Sequence, residues 1–195
     1  LLQQLTKDLP ANLCAVLISR RGLPFETHGL ELENRFTRLG PSVFEFSRPE
    51  TFDFFSQELA ANKLTSVAVD NLYDLTEGWA TPLALYRREV QRELERKPIQ
   101  ESPSVERFLK DSVLGGLTPG QVRSVRAIAE LELCSDELLL ALQSALPEVA
   151  LLPSQVFEQG LPIRPMPGRG RWYRLNPLMQ EWLRTSPMVG YEARM

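Results

Sequence analysis

The sequence predicts a mainly α-helical fold with a small α/β remnant at its N-terminus, its helices leading into a winged-helix domain with a β-hairpin. Three observations predict it. Capped amphipathic segments follow one another from Ser47 to Ala145. A single apolar run of strand length, Leu13 to Ile18, stands near the start. A Gly- and Pro-rich turn, Met166-Pro167-Gly168-Arg169-Gly170, separates two short extended segments near the end, Leu161 to Pro165 and Arg171 to Leu175.

Leu1 to Leu9 places apolar residues at 1, 2, 5 and 9, the pattern of a helix end stopped by Pro10. Leu13-Cys14-Ala15-Val16-Leu17-Ile18 is continuous rather than alternating, as in strands buried on both faces of a parallel sheet. Ser19-Arg20-Arg21-Gly22 then lies at the carboxyl edge of that strand, where open α/β sheets bind ligands. Val43-Phe44-Glu45-Phe46 is a second short strand candidate.

From Ser47 the pattern turns helical. Ser47-Arg48-Pro49-Glu50 is a capping box with proline in the first turn, and Phe52, Phe55 and Leu59 share one face of the helix it opens. A second helix covers Ser66 to Leu75, with Val67, Leu72 and Leu75 as its apolar residues. A third runs from Ala80 to Lys97, with Leu83, Tyr86, Val90 and Leu94 along one side. Its other face, Arg87, Arg88, Gln91, Arg92, Glu95 and Arg96, is expected in solvent. Lys97 to Pro103 is the best linker, with two prolines and little apolar content. Beyond it come a helix from Ser104 to Leu114 ended by Gly115-Gly116, and a helix opened by the capping box Thr118-Pro119-Gly120-Gln121 that turns Val122, Val125, Ile128, Ala129 and Leu133 inward. Ser135 caps Asp136 to Ala145, Ser154 to Gln159 is a short helix, and Asn176-Pro177 opens the last helix, to Arg184.

Composition narrows the function. Hydrophobic content of 43% and charged content of 24% belong to a core-forming globular chain. A formal net charge of −3 supplies no global field for nucleic acid. Cys14 and Cys134 both sit in apolar runs and are expected as buried thiols without a disulfide. No apolar run approaches the ~18 residues of a membrane span, so a soluble, cytoplasmic chain without membrane contact is expected. His28 is the sole histidine, in loop-like surroundings, and no catalytic or metal-binding residue is expected. The acid pairs Asp70/Asp74 and Glu89/Glu93 are one helical turn apart and are expected on solvated faces. No phosphate-cradling glycine loop occurs in the 195 residues. The chain begins in mid-helix with Leu1, which points to a piece of a longer polypeptide.

Two stretches carry a resemblance: Thr76-Glu77-Gly78-Trp79, opening an amphipathic helix, and Arg171-Trp172-Tyr173-Arg174-Leu175-Asn176-Pro177-Leu178 in the hairpin region. Together with the strand Leu13 to Ile18 followed by Ser19-Arg20, they resemble the segment of MalT-like, LuxR-type transcription activators that joins a nucleotide-binding domain to a sensor array. These regulators are multidomain signal-transduction ATPases. The resemblance covers Leu1 to Arg184 and implies four parts: 1–47, the end of an α/β nucleotide-binding domain; 48–100, a helical lid; 101–187, a winged-helix domain; and 188–195, a tail. It implies nucleotide contacts, in the parent protein, from Arg20, Gly78, Trp79 and Asn176.

Each of these residues has a plainer reading. Arg20 offers a fixed-geometry cation to phosphate, or else sits in a surface loop beside Arg21 and Glu26. Gly78 allows close backbone approach and Trp79 could stack on a base, or the pair is a helix-start glycine with a core tryptophan. Related switch ATPases carry Gly-x-Pro here, whereas this chain has Pro82, four residues after the glycine. Asn176 stands where relatives carry a phosphate-sensing histidine; it cannot bear a positive charge and makes a good helix cap. Arg164, Arg169, Arg171 and Arg174 form a basic cluster opposed between Gly160 and Arg184 by Glu181 alone, and Arg169 and Arg171 are candidates for DNA phosphates. The helix that would read bases, Ser154 to Gln159, has no cation.

The expected role is a nucleotide-responsive regulatory relay without catalysis of its own. ATP or ADP would bind in the parent, with no cofactor on this chain alone. Expected partners are an upstream nucleotide-binding half, a downstream sensor domain, self-association through the parent, and DNA only through a separate C-terminal module. A pure protein-interaction module without nucleotide response is the alternative, and a winged-helix DNA binder the second.

Overall fold

The computed structural model describes residues 4, 9–10, 12–19, 23, 25–92, 97–142, 150–168 and 170–186. The fold is mainly helical with one small antiparallel sheet. After a short α1 (His28–Leu32) come α2 (Arg48–Phe54), α3 (Ser56–Ala60), α4 (Ser66–Thr76) and α5 (Ala80–Arg92). α6 (Pro103–Arg107), α7 (Pro119–Ala129), β1 (Cys134–Ser135), α8 (Asp136–Ala141) and α9 (Pro153–Glu158) follow, then the hairpin β2 (Ile163–Pro165) and β3 (Trp172–Leu175), and finally α10 (Pro177–Thr185). β3 is central, paired antiparallel with β1 on one side and β2 on the other.

Polar caps fix the helix starts, because each helix leaves its first N–H groups without intrahelical partners. Ser47 accepts from the Glu50 amide while Glu50 Oε2 accepts from the Ser47 amide at 2.8 Å, completing the expected box. Thr118 and Gln121 repeat it at α7, and Ser135 caps α8 through the Leu138 amide at 3.1 Å. At the other end of α7, Gln180 of α10 donates to the carbonyls of Ala129 and Leu131, at 3.0 and 2.8 Å. Arg184 donates to the Ala129 carbonyl at 2.6 Å, placing a cation on the negative end of α7.

Beneath these caps lies a continuous apolar cluster that runs from Phe55 to Leu183. It crosses the expected linker, where Ile99 and Ser102 are fully buried and Ser102 caps α6. α6 continues into a π turn, Phe108–Val113, in which the Leu114 amide donates five residues back to the Leu109 carbonyl at 3.0 Å. Val105, Leu109 and Leu114 all enter the core. Among the described residues no helix is long and apolar enough to cross a membrane.

Several expectations are corrected. Residues 13–19 form no strand; Val16 and Ile18 are 79% and 95% exposed, and Cys14 is exposed as well. A doubly buried strand needs hydrogen-bonded neighbours at both edges, and no described segment pairs with this one. Val43 to Phe46 is not a strand either: Pro41 starts a 3₁₀ turn over Pro41–Val43, leaving Val43 and Phe44 exposed. α4 buries Val69, Leu72 and Thr76, and Val67 lies 66% exposed because two helical residues turn ~200°. Arg87 leaves the expected solvent face to bind Glu58. Cys134 is a buried thiol as expected, its pKa pushed up to about 12 by desolvation and by Asp136. The expected helix end at 1–9 lies outside the described residues except for Gln4, Leu9 and their neighbour Pro10, and Leu94 and residues 143–145 lie outside them too.

Candidate functional site

The corner between α4 and α5 is where distant parts of the chain converge. Thr76 closes α4 by donating its hydroxyl to the Leu72 carbonyl at 2.7 Å. Glu77 then turns left-handed at φ 52°, and Gly78 comes next at φ 77°. A Cβ on Gly78 would strike the backbone of Phe46, so only glycine fits. That close approach lets the Phe46 amide donate to the Gly78 carbonyl at 2.8 Å. Trp79 is half-buried and packs edge-on against Phe108, with ring centroids 5.5 Å apart.

Three residues of the hairpin region grip this corner from the other side. Asn176 is 3% exposed, and its Nδ2 donates to the Thr76 carbonyl at 2.9 Å. Its Oδ1 accepts from the Met179 amide, so one side chain both caps α10 and reaches α4. Arg174 pairs with Glu77 Oε1. Arg164 reaches the Glu77 carbonyl at 3.4 Å, Glu77 Oε2 at 3.5 Å and Glu45 Oε1 at 2.7 Å. Glu77 Oε2 is buried and forms no hydrogen bond of good geometry, so its contact with Arg164 is purely ionic. Glu77, Arg164, Arg174 and Glu45 border an open depression of about 670 Å³ that Ser42, Ser47, Tyr73 and Asp74 also line. Neighbouring charges already have partners: Arg48 bridges Asp70 and Asp74 at 2.5 Å each, and Glu50 is held below the usual carboxylate range by its bonds to Ser47.

The structure thus brings Gly78 and Asn176 to one corner. Trp79 faces Phe108 instead, Arg171 is exposed on the hairpin, and Arg20 and Arg169 lie outside the described residues. Asn176 fulfils the capping role while also crossing to α4. Arg164 and Arg174, read from sequence as part of a basic cluster opposed by Glu181 alone, both pair with Glu77, and Arg164 also with Glu45. The signal for this was Arg164 and Arg174 falling opposite one another across the hairpin, a like-charge pair that calls for an acid nearby. His28 starts α1 and is exposed, and among the described residues no group of His, Cys, Asp and Glu could hold a metal ion.

Replacing Asn176 with alanine removes an N-cap and orphans the Thr76 contact. The expected loss is ~1–2 kcal/mol, to be read as a lower midpoint in urea unfolding. An unchanged midpoint would show that the two contacts contribute nothing.

No protein-family profile matches the chain. Similarity to individual proteins is clear. The HTH-type transcriptional regulator MalT of Vibrio campbellii is 28% identical over 185 residues, covering 91% of this chain and 20% of the relative. MalT of Vibrio parahaemolyticus is 27% identical over 185 residues with the same coverage. MalT of Serratia proteamaculans is 27% identical over 188 residues, covering 90% of this chain and 20% of the relative. The chain spans about a fifth of the length of these curated relatives. Over about nine-tenths of its length the chain is therefore similar to one segment of proteins named as transcriptional regulators.

Proposed function

We infer that the chain is a relay segment of a MalT-like transcriptional regulator, coupling nucleotide state in an adjoining domain to the position of the hairpin-bearing bundle. In this reading residues 1–47 end the nucleotide-binding domain, 48–100 are the helical lid, 101–187 the winged helix and 188–195 a tail. The order α7, β1, α8, α9, β2, β3 supports the winged helix. Exposed apolar residues at Val16 and Ile18 support a sheet completed by chain outside this segment.

One observation carries the proposal: the two sequence stretches meet at the Thr76-Glu77-Gly78 corner, held by Arg164, Arg174 and Asn176. A nucleotide phosphate or base at that corner, with Arg20 as a further phosphate contact, would compete for the same groups. Coupling results because the two arrangements would make different contacts with the ligand. Hydrolysis would require a glycine loop, a lysine and a magnesium-binding carboxylate, which belong to the adjoining domain in this reading. The test is isothermal titration of the full-length regulator with Mg·ADP, beside hydrogen exchange at the Gly78 and Met179 amides. Saturable binding that changes exchange at both amides is the expected result; binding with neither amide affected would remove the relay role.

A second reading, an interaction module without nucleotide response, is favoured by one fact: the Asn176 amide and the Gly78 carbonyl are already committed within the chain. It predicts no heat of ADP binding. DNA contact by the hairpin is disfavoured, since Arg164 and Arg174 are paired internally and α9 has no cation. It predicts salt-dependent duplex binding lost in the R169A/R171A double variant.

A further inference from the structure

Arg164 and Arg174 are direct cross-strand partners in the β2–β3 register. Like charges placed so oppose strand pairing, and natural hairpins favour opposite charges or apolar pairs there. β2 is only three residues long, so this pair is one of its three with β3. The conflict is resolved from a distance: Glu77, 87 residues before Arg164 and 97 before Arg174, places its carboxylate against both guanidinium groups. It gets there from a left-handed backbone conformation that a residue with a side chain adopts only under constraint. Other acids nearby are poorly placed to replace it. Asp74 is bound by Arg48 and Glu50 by Ser47, while Glu45 touches Arg164 alone.

We propose that the β2–β3 hairpin is conditionally paired: it stays closed only while the Glu77 carboxylate stands between Arg164 and Arg174. Withdrawal of the α4–α5 corner leaves two facing cations, and the hairpin opens. Movement of one segment is thereby converted into order or disorder of another, and the bared arginine pair becomes a receptor for any oxyanion of similar size. The inference rests on the junction and not on nucleotide response, so it stands or falls separately from the relay reading.

The test is amide hydrogen exchange on the whole chain without nucleotide, following Met166 and Arg174 in the hairpin with α7 amides as an internal reference. E77Q is expected to speed hairpin exchange about fivefold, the upper range for an unrelieved like-charge pair, while α7 is unaffected. Adding R174A to E77Q removes the repulsion and should return hairpin exchange to within about twofold of the parent. Sodium acetate should slow exchange in E77A, with sodium chloride at equal ionic strength as the control, because a free carboxylate can occupy the vacated place. Unchanged hairpin exchange in E77Q overturns the proposal. So does a double variant faster than E77Q, or an acetate effect matched by chloride.

Discussion

Gly78→Ala is expected to lower stability by about 3 kcal/mol, combining the left-handed backbone penalty of ~1–3 kcal/mol with a collision that no rotamer can relieve. The obstructing atoms are the backbone of Phe46, so the segment before α2 must move as a unit. Moving it breaks the Phe46–Gly78 hydrogen bond and disturbs the Phe46 contact with Phe54, whose ring centroids lie 5.1 Å apart. For a chain of this size each kcal/mol shifts Tm by roughly 2–4 °C, so calorimetry should show a fall of about 6–12 °C. A fall under about 2 °C would mean that the corner relaxes without cost, and the close approach of Phe46 would lose its significance.

The second large effect is expected at Arg87. Glu58 is 2% exposed, and its Oε1 accepts from Arg87 Nε at 2.9 Å and Gln91 Nε2 at 2.6 Å, while Oε2 is buried without a partner. Burial pushes this carboxyl up, but the bonds from Arg87 and Gln91 outweigh it and hold the pKa below the ordinary value of 4.5. A depressed folded pKa contributes stability that is present above the unfolded value and lost as pH falls through the folded one. Arg87→Ala strips out the guanidinium and leaves a buried carboxylate, with an expected loss of ~3 kcal/mol at neutral pH. In that variant desolvation dominates, the folded pKa rises above the unfolded value, and the sign reverses. The deficit should therefore shrink as pH falls toward about 4, where Glu58 becomes protonated. Urea unfolding across that range distinguishes this from simple lost packing, which would give a pH-independent deficit. Glu58→Gln in the same background should recover part of the loss at pH 7.

Local features were legible in the sequence. The boxes at Ser47 and Thr118 and the caps at Ser135 and Asn176 depend on three or four consecutive residues, and each forms as the pattern predicts. Where the deciding partner is remote, local pattern fails. Arg87 looked like one more charge on a wet face because Glu58 lies 29 residues earlier. Leu13 to Ile18 has strand composition, yet composition cannot provide the neighbouring strands that pairing demands. The corner was noticed for its Gly-Trp pair, but the residue of that motif that matters most electrostatically is Glu77. Its role required knowing that β2 and β3 bring Arg164 and Arg174 into register.

The π turn at Phe108–Val113 accommodates one residue more than an ordinary helix would in the same advance, and this sets the rotational phase of the chain beyond it. Leu109 and Leu114, five residues apart, share the buried side because the wider turn absorbs that surplus residue. The same residues wound as an ordinary α-helix would rotate Leu114 by ~100°, out of the interior. The irregularity is thus a spacer that aligns two halves of the molecule, and regularising it would make a better helix in a worse protein.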